Sequence, residues 1–181
     1  MNVRREHPAS HASSRGSVLI ALVVIAIATL AAYHNSFSGP FVFDDVPAIV
    51  ENQTIRRLNL SVLRPFGNSG GTVTGRPMVN ASLAVNYAAG GTDVAGYHAV
   101  NLACHTLAAL VLFGFVRRTL LLPSAARRFG AASTLLAGAI AVVWATHPLA
   151  TSAVTYVIQR AEVMMALFYL STLYCFARGA A

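Results

Sequence analysis

The chain has 181 residues, 56% hydrophobic and only 10% charged, with a mean hydropathy of +0.60. Soluble domains carry about 25% charged residues, so a chain this apolar needs lipid rather than its own polar surface to cover it. The net charge of +7 and pI near 10.3 sit at the ends of apolar runs and not on one face of a folded domain, which excludes a nucleic-acid partner as their explanation.

All 13 basic residues are Arg, a compositional bias without mechanistic content. Cys104 and Cys175 both fall inside apolar runs. Neither has metal-ligand spacing, and both read as small hydrophobes.

Residues 1–16 are polar and basic, with Arg4, Arg5 and Arg15 opposed by Glu6 alone. Residues 18–32 are apolar apart from Thr29. With Ser17 and Tyr33 the run approaches the ~20 residues that carry a helix across the hydrocarbon core. Thr29-Leu30-Ala31-Ala32 offers small residues for signal cleavage. The run is long for a signal, however, and a retained span over 17–33 is expected.

Residues 34–96 form a mixed segment rich in Gly, Asn and Ser, with Asp44, Asp45, Glu51 and Asp93. Ile55, Leu58, Val62, Leu63 and Phe66 share one helical face, opposite Arg56, Arg57, Asn59 and Arg64, which suits a helix lying in the membrane interface. Pro77 can open a second short helix that Gly90-Gly91 would end, with Val79, Leu83 and Tyr87 as its apolar stripe.

Further spans are expected over residues 97–116, 130–147 and 161–178, separated by a basic loop over 117–129 and a second external loop over 148–160. The expected fold class is all-α. It is a polytopic membrane helix bundle of about four transmembrane helices with a large external loop carrying short interfacial helices.

Charge sets the expected orientation, because basic residues near span ends collect on the cytoplasmic side. With the N-terminus inside, the cytoplasmic segments hold Arg4, Arg5, Arg15, Arg117, Arg118, Arg127, Arg128 and Arg178 against Glu6. The five remaining arginines face the other five acids outside, so the whole net charge lies on one side.

Three groups of residues could carry chemistry. The acidic pair in Phe41-Val42-Phe43-Asp44-Asp45-Val46-Pro47 would be costly to ionise fully without a cation. It reads either as a general base with a partner that orients it or helps hold a divalent metal, or as a turn or helix cap before Pro47. His98, Asn101 and His105 share one helical face and suit interhelical hydrogen bonds. Zinc helices place two His four apart, whereas these are seven apart. Arg160 and Glu162 lie at the external membrane edge, where Arg160 would either pair with Glu162 or hold a lipid phosphate.

The order of these pieces carries a resemblance. Phe43-Asp44-Asp45 follows a first span. Arg76-Pro77, Asn86-Tyr87 and Gly90-Gly91 come next, then Tyr97-His98 with Asn101-Leu102 and His105. His147-Pro148, Tyr156, Arg160 and Glu162 close the series. Over about residues 17–178 the chain resembles the N-terminal membrane region of the transmembrane and tetratricopeptide-repeat O-mannosyltransferase family and its bacterial relatives. These in turn are similar to protein O-mannosyltransferases and other type C glycosyltransferases.

The resemblance implies a polyprenyl-phosphate sugar donor and inverting transfer to a protein acceptor's hydroxyl on the non-cytoplasmic side of a bacterial cell membrane. Asp44 and Asp45 match the acidic motif of the first external loop. Arg76 and Arg160 are the cationic candidates for the donor phosphate, while His98, Asn101, His105 and Glu162 are expected to be structural polar residues. No resident metal or other cofactor is assigned. The family has many more spans and a helical-repeat domain, so the chain is expected to be its N-terminal portion, too short to be a complete enzyme. The alternatives are a non-catalytic membrane scaffold or assembly partner, or a transporter half. Transport is disfavoured because no Asp or Glu lies near the centre of a span.

Overall fold

Long uncharged runs leave the backbone no polar partner in lipid but itself, which selects helices. A computed structural model describes residues 9–63 and 73–179; Arg4, Arg5, Glu6, Arg64 and Phe66 lie outside these residues. The described chain is helical, without a strand. Its helices are α1 (Ala9–Tyr33), α2 (Pro77–Gly90), α3 (Val94–Leu120), α4 (Pro123–Phe129), α5 (Ser133–Ala145), α6 (Thr151–Thr155) and α7 (Arg160–Gly179).

Among the described residues, three helical stretches are long and apolar enough to cross a membrane: Arg15–Ser38, Val94–Leu120 and Pro123–Ala145. A fourth is counted if Pro148–Thr155 and Val157–Gly179, bent by 103° at Tyr156, form one span.

α3 is the central helix and packs against α1, α5 and α7. Small residues let the helices approach: Ala109, Ala137, Ala141 and Ala145 are buried with Ile25 and Phe113 between α1, α3 and α5. Packing of this kind replaces the hydrophobic drive that lipid removes. A Cβ at Gly114 would come within 3.1 Å of the Tyr174 ring, which would have to give by a few tenths of an ångström, so α3 and α7 approach closely there. Thr29, buried in α1, donates to the Ile25 carbonyl at 2.8 Å and leaves no polar atom facing lipid.

The two ends of the bundle differ. At one end, Arg117 donates to Thr134 Oγ1 (3.0 Å) and Arg118 to the Ala177 carbonyl (2.9 Å), tying together the ends of α3, α5 and α7. At the other end, the segment between α1 and α3 folds over residues 156–164. Ala48, Ile49, Ile55, Val79, Leu83 and Tyr97 share one buried cluster there with Val157 and Ile158.

The described part of the amphipathic stretch, as far as Leu63, forms short turns, Gln53–Ile55 and Leu60–Leu63, rather than one helix. The reason is competing hydrogen bonds, one local and one from α2. Asn52 caps the first turn through the Thr54 N–H (2.9 Å), and Asn80 of α2 draws in the Val62 carbonyl (2.8 Å). Ile55 and Val62 are buried while Leu58 and Leu60 are exposed.

Candidate active site

The acidic pair sits on a strained turn. Phe43 has φ +46°, a left-handed conformation that costs a bulky residue roughly 1–3 kcal/mol and persists where the surroundings fix it. The Asp45 N–H donates to the Val42 carbonyl (2.9 Å) and the Val46 N–H to the Phe43 carbonyl (3.2 Å), closing the turn. Phe43 itself is 85% exposed, so its own packing does not hold this geometry.

The turn is held through its neighbours. Asp45 is buried, and its carboxylate accepts the Val42 N–H at Oδ2 (3.2 Å) and the Ile158 N–H at Oδ1 (2.7 Å). The Asp44 N–H donates to the Tyr156 phenolic oxygen at 3.0 Å, and the Asp44 side chain is exposed.

Two adjacent carboxylates therefore have different surroundings. Burial pushes the Asp45 carboxyl above the usual carboxylate range, opposed by the Val42 and Ile158 N–H groups and by His98. Both Asp45 oxygens face backbone donors, so the pair is not arranged to share a cation. Among the described residues, no three His, Cys, Asp or Glu side chains converge.

Residues 156–158, which grip the acidic turn, are themselves gripped. Asn101 Nδ2 donates to the Val157 carbonyl (3.0 Å) and the Tyr156 carbonyl (3.4 Å), while Asn101 Oδ1 accepts from Arg160 Nε (2.8 Å). Arg160 is fully buried. Its remaining donors reach Asn86 Oδ1 (2.6 Å), the Tyr97 carbonyl (2.9 Å) and Ser82 Oγ (3.4 Å).

Here a buried cation is satisfied by neutral acceptors from α2 and α3. A guanidinium left unpaired there would be strongly unfavourable. Arg160 thus turns inward and is closed to an external phosphate, while Glu162, two residues on, is exposed.

Arg76 is placed otherwise. It is exposed, immediately before α2, whose first turn has Pro77 and no side-chain cap. Arg76 and Glu162 line a groove of about 340 Å³ with Met78, Met164, Met165 and Phe168. The groove is thus lined by a cation and the uncapped N-terminus of α2 together with mostly apolar side chains of α7. A larger groove of about 920 Å³ lies between α1 and α5 beside Arg117, at the opposite end of the bundle, and contains none of these residues.

Comparison with known proteins bears on this arrangement. The chain is 37% identical to protein O-mannosyl-transferase Tmtc1 of Drosophila melanogaster over 146 residues, 76% of this chain and 16% of that protein. It is 31% identical to protein O-mannosyl-transferase TMTC4 of Homo sapiens over 173 residues, 83% of this chain and 22% of that protein. Over this shared stretch the chain is similar to proteins of the TMTC family. A protein O-mannosyl-transferase of Caenorhabditis elegans is 29% identical over 160 residues, again 22% of its own length. The chain spans about a fifth of the length of such curated relatives. No family model matches it, and no solved structure does.

The polar face of α3 is distributed between partners. His98 Nε2 donates to the Gly39 carbonyl (3.0 Å) in the segment after α1, and its buried Nδ1 has no partner among the described residues. His105 Nε2 donates to the Ala145 carbonyl at the end of α5 (2.8 Å) and its ring stacks on Trp144, 4.9 Å between centroids. These histidines serve different helices and do not meet.

Two parts of the site carry little signal in the sequence. Tyr156 stands within the family pattern without a role of its own. The Asn52–Thr54–Asn80 cluster, in which Asn80 is fully buried, is marked only by an Asn directly beside the apolar stripe of α2.

Proposed function

We propose that this chain contributes the base and the donor-phosphate contact of a membrane glycosyltransferase. The reaction moves a sugar, mannose, from a polyprenyl-phosphate donor to a Ser or Thr hydroxyl of a protein acceptor, with inversion. The observation that carries the reading is the split between the two carboxylates. Asp44 is exposed on a strained turn, and Asp45 is buried beneath it. A base must reach substrate while its neighbour holds it still, and these two positions meet both needs. The names of the relatives support glycosyl transfer.

In this mechanism Asp44 accepts the proton of the acceptor hydroxyl as its oxygen attacks the sugar C1. The C1–O bond to phosphate breaks on the opposite face and polyprenyl phosphate leaves. Arg76, with the uncapped start of α2 beside it, stabilises the charge that grows on that phosphate. The prenyl chain lies along Met78, Met165 and Phe168, which are largely exposed on the groove wall. Asp45 anchors the turn and takes no proton from substrate.

The chemistry is assigned to the non-cytoplasmic side of a bacterial cell membrane, with the N-terminus in the cytoplasm. Arg117, Arg118, Arg127 and Arg128 near the far ends of the helices support that sidedness.

The test is transfer from a polyprenyl-phosphate mannose to an acceptor peptide in membranes holding the full-length protein. Transfer that is lost in Asp44→Asn supports the assignment. Transfer at the parent rate by Asp44→Asn would reduce the acidic turn to a structural element and favour a scaffold role.

A further inference from the structure

We propose that Tyr156 is a positioning residue for the Asp44 carboxylate, acting through its phenolic oxygen on the Asp44 amide. The proposal rests on the reading of Asp44 as the base. The turn that presents Asp44 includes Phe43 at φ +46°, a conformation that relaxes unless neighbouring contacts oppose it. Asp45 is pinned by its carboxylate, but Asp44 points its carboxylate outward and must be held by its backbone. The hydrogen bond from the Asp44 N–H to Tyr156 Oη, 112 residues away, does this.

Tyr156 can hold the turn because it is itself held. Its N–H donates to the Ser152 carbonyl (3.1 Å), and its carbonyl accepts from the Gln159 N–H (3.1 Å) and Asn101 Nδ2 (3.4 Å). Its ring packs against the buried cluster of the loop. Asn101 is fixed by Arg160, and Arg160 by Asn86 of α2. Hydrogen bonds thus run from α2 through Arg160, Asn101 and Tyr156 to the backbone of the base. The links through Arg160 are buried, the one from Asn101 to Tyr156 is part-buried, and the last, on the Asp44 N–H, is exposed. The network thus carries the rigidity of three helices to the backbone of the residue that presents the exposed carboxylate.

Tyr156→Phe tests this, because it keeps the ring and its packing and removes the oxygen alone. Two measurements on the full-length protein in membranes or nanodiscs separate the possible failures. Hydrogen exchange over residues 41–46 is expected to speed up in Tyr156→Phe with no change in exchange over α3. In steady-state transfer, kcat is expected to fall roughly 10- to 100-fold, the scale of a small misplacement of a reacting group. KM for the polyprenyl-phosphate sugar and for the peptide should stay within about two-fold, as expected when ground-state binding is untouched.

Unchanged exchange at residues 41–46 overturns the proposal, as does faster exchange with unchanged kcat, or a rise in KM at constant kcat. Absence of sugar transfer by the parent protein would instead refute the glycosyltransferase reading. The exchange measurement would still decide whether Tyr156 holds the turn.

Discussion

Asp45 Oδ1 accepts the Ile158 N–H at 2.7 Å across 113 residues of sequence, joining the turn after the first span to the break before the last helix. This bond separates the duties of two neighbouring carboxylates, and substitution should expose the difference. Asp44→Asn should lower transfer by roughly 10²–10⁴-fold, the usual contribution of a general base, with thermal stability and membrane insertion unchanged. Asp45→Asn keeps one acceptor but turns an NH₂ toward a backbone donor. Leaving one buried N–H unpaired should cost about 1–3 kcal/mol of stability. Thermal unfolding in detergent beside a transfer assay would distinguish them, and equal stability loss in both variants would contradict the division.

The same burial makes stability depend on pH in a defined direction. Burial raises the Asp45 carboxyl above its ordinary value, so the folded protein keeps this proton to a higher pH than the unfolded chain does. The stabilisation linked to that proton is complete below the ordinary carboxylate value and is lost as pH rises through the raised one. Relative to Asp45→Asn, which cannot titrate, the parent midpoint of unfolding should fall as pH rises across this window. A relative midpoint that rises with pH would mean that the backbone donors outweigh burial.

How much of this was legible in the sequence depends on how local each cause is. The helical class followed from composition and run length, and the start and end of α2 from Pro77 and Gly90-Gly91, all of which act within a few residues. The shared face of His98, Asn101 and His105 followed from spacings of three and four. Their acceptors did not, because Gly39, Val157 and Ala145 come from three other segments. Asp44 and Asp45 were visible as a pair, but which one is buried is decided by residues 156–158, and adjacency says nothing of that. Arg160 was visible as a cation at a membrane edge. That it turns inward depends on Asn86 and Asn101, which no charge pattern marks.

Arg160 should therefore behave as a structural residue. Arg160→Ala leaves Asn86 Oδ1 and Asn101 Oδ1 without their donor, at about 1–3 kcal/mol for each buried group left unpaired. Lys should recover only part of this, since its ammonium lacks the planar fork that reaches several acceptors at once. Thermal midpoints in the order parent, Arg160→Lys, Arg160→Ala are expected. A stable, folded Arg160→Ala protein with a selective loss of donor affinity would return Arg160 to the phosphate site.

Orientation can be tested without any activity. With Cys104 and Cys175 replaced, single cysteines at positions 44 and 76 should react with an impermeant reagent from the non-cytoplasmic side. Cysteines at positions 118 and 127 should react from the cytoplasm, as the arginine distribution requires. Labelling of position 44 from the cytoplasm alone would invert the topology and remove the acidic turn from the side assigned to it.

The groove shared by Arg76 and Glu162 gives a prediction of opposite signs. Both residues line it, one attractive and one repulsive toward a phosphate, and both are exposed. Exposed side chains can be exchanged with little effect on folding, within about 0.5 kcal/mol for ordinary surface positions. Binding changes should then reflect charge alone. Arg76→Ala should raise KM for the polyprenyl-phosphate sugar, because a single charge-assisted contact contributes roughly 1.5–3 kcal/mol, a factor of about 10 to 100. Glu162→Gln should lower that KM by removing a like charge from the facing wall, with a smaller effect because its partner would be repelled through water. Raising the ionic strength should shrink both changes. KM for the acceptor peptide should move in neither variant. A pair of variants that shift donor KM in the same direction would show that the phosphate does not lie between these residues, and the search for its contact would move away from the start of α2.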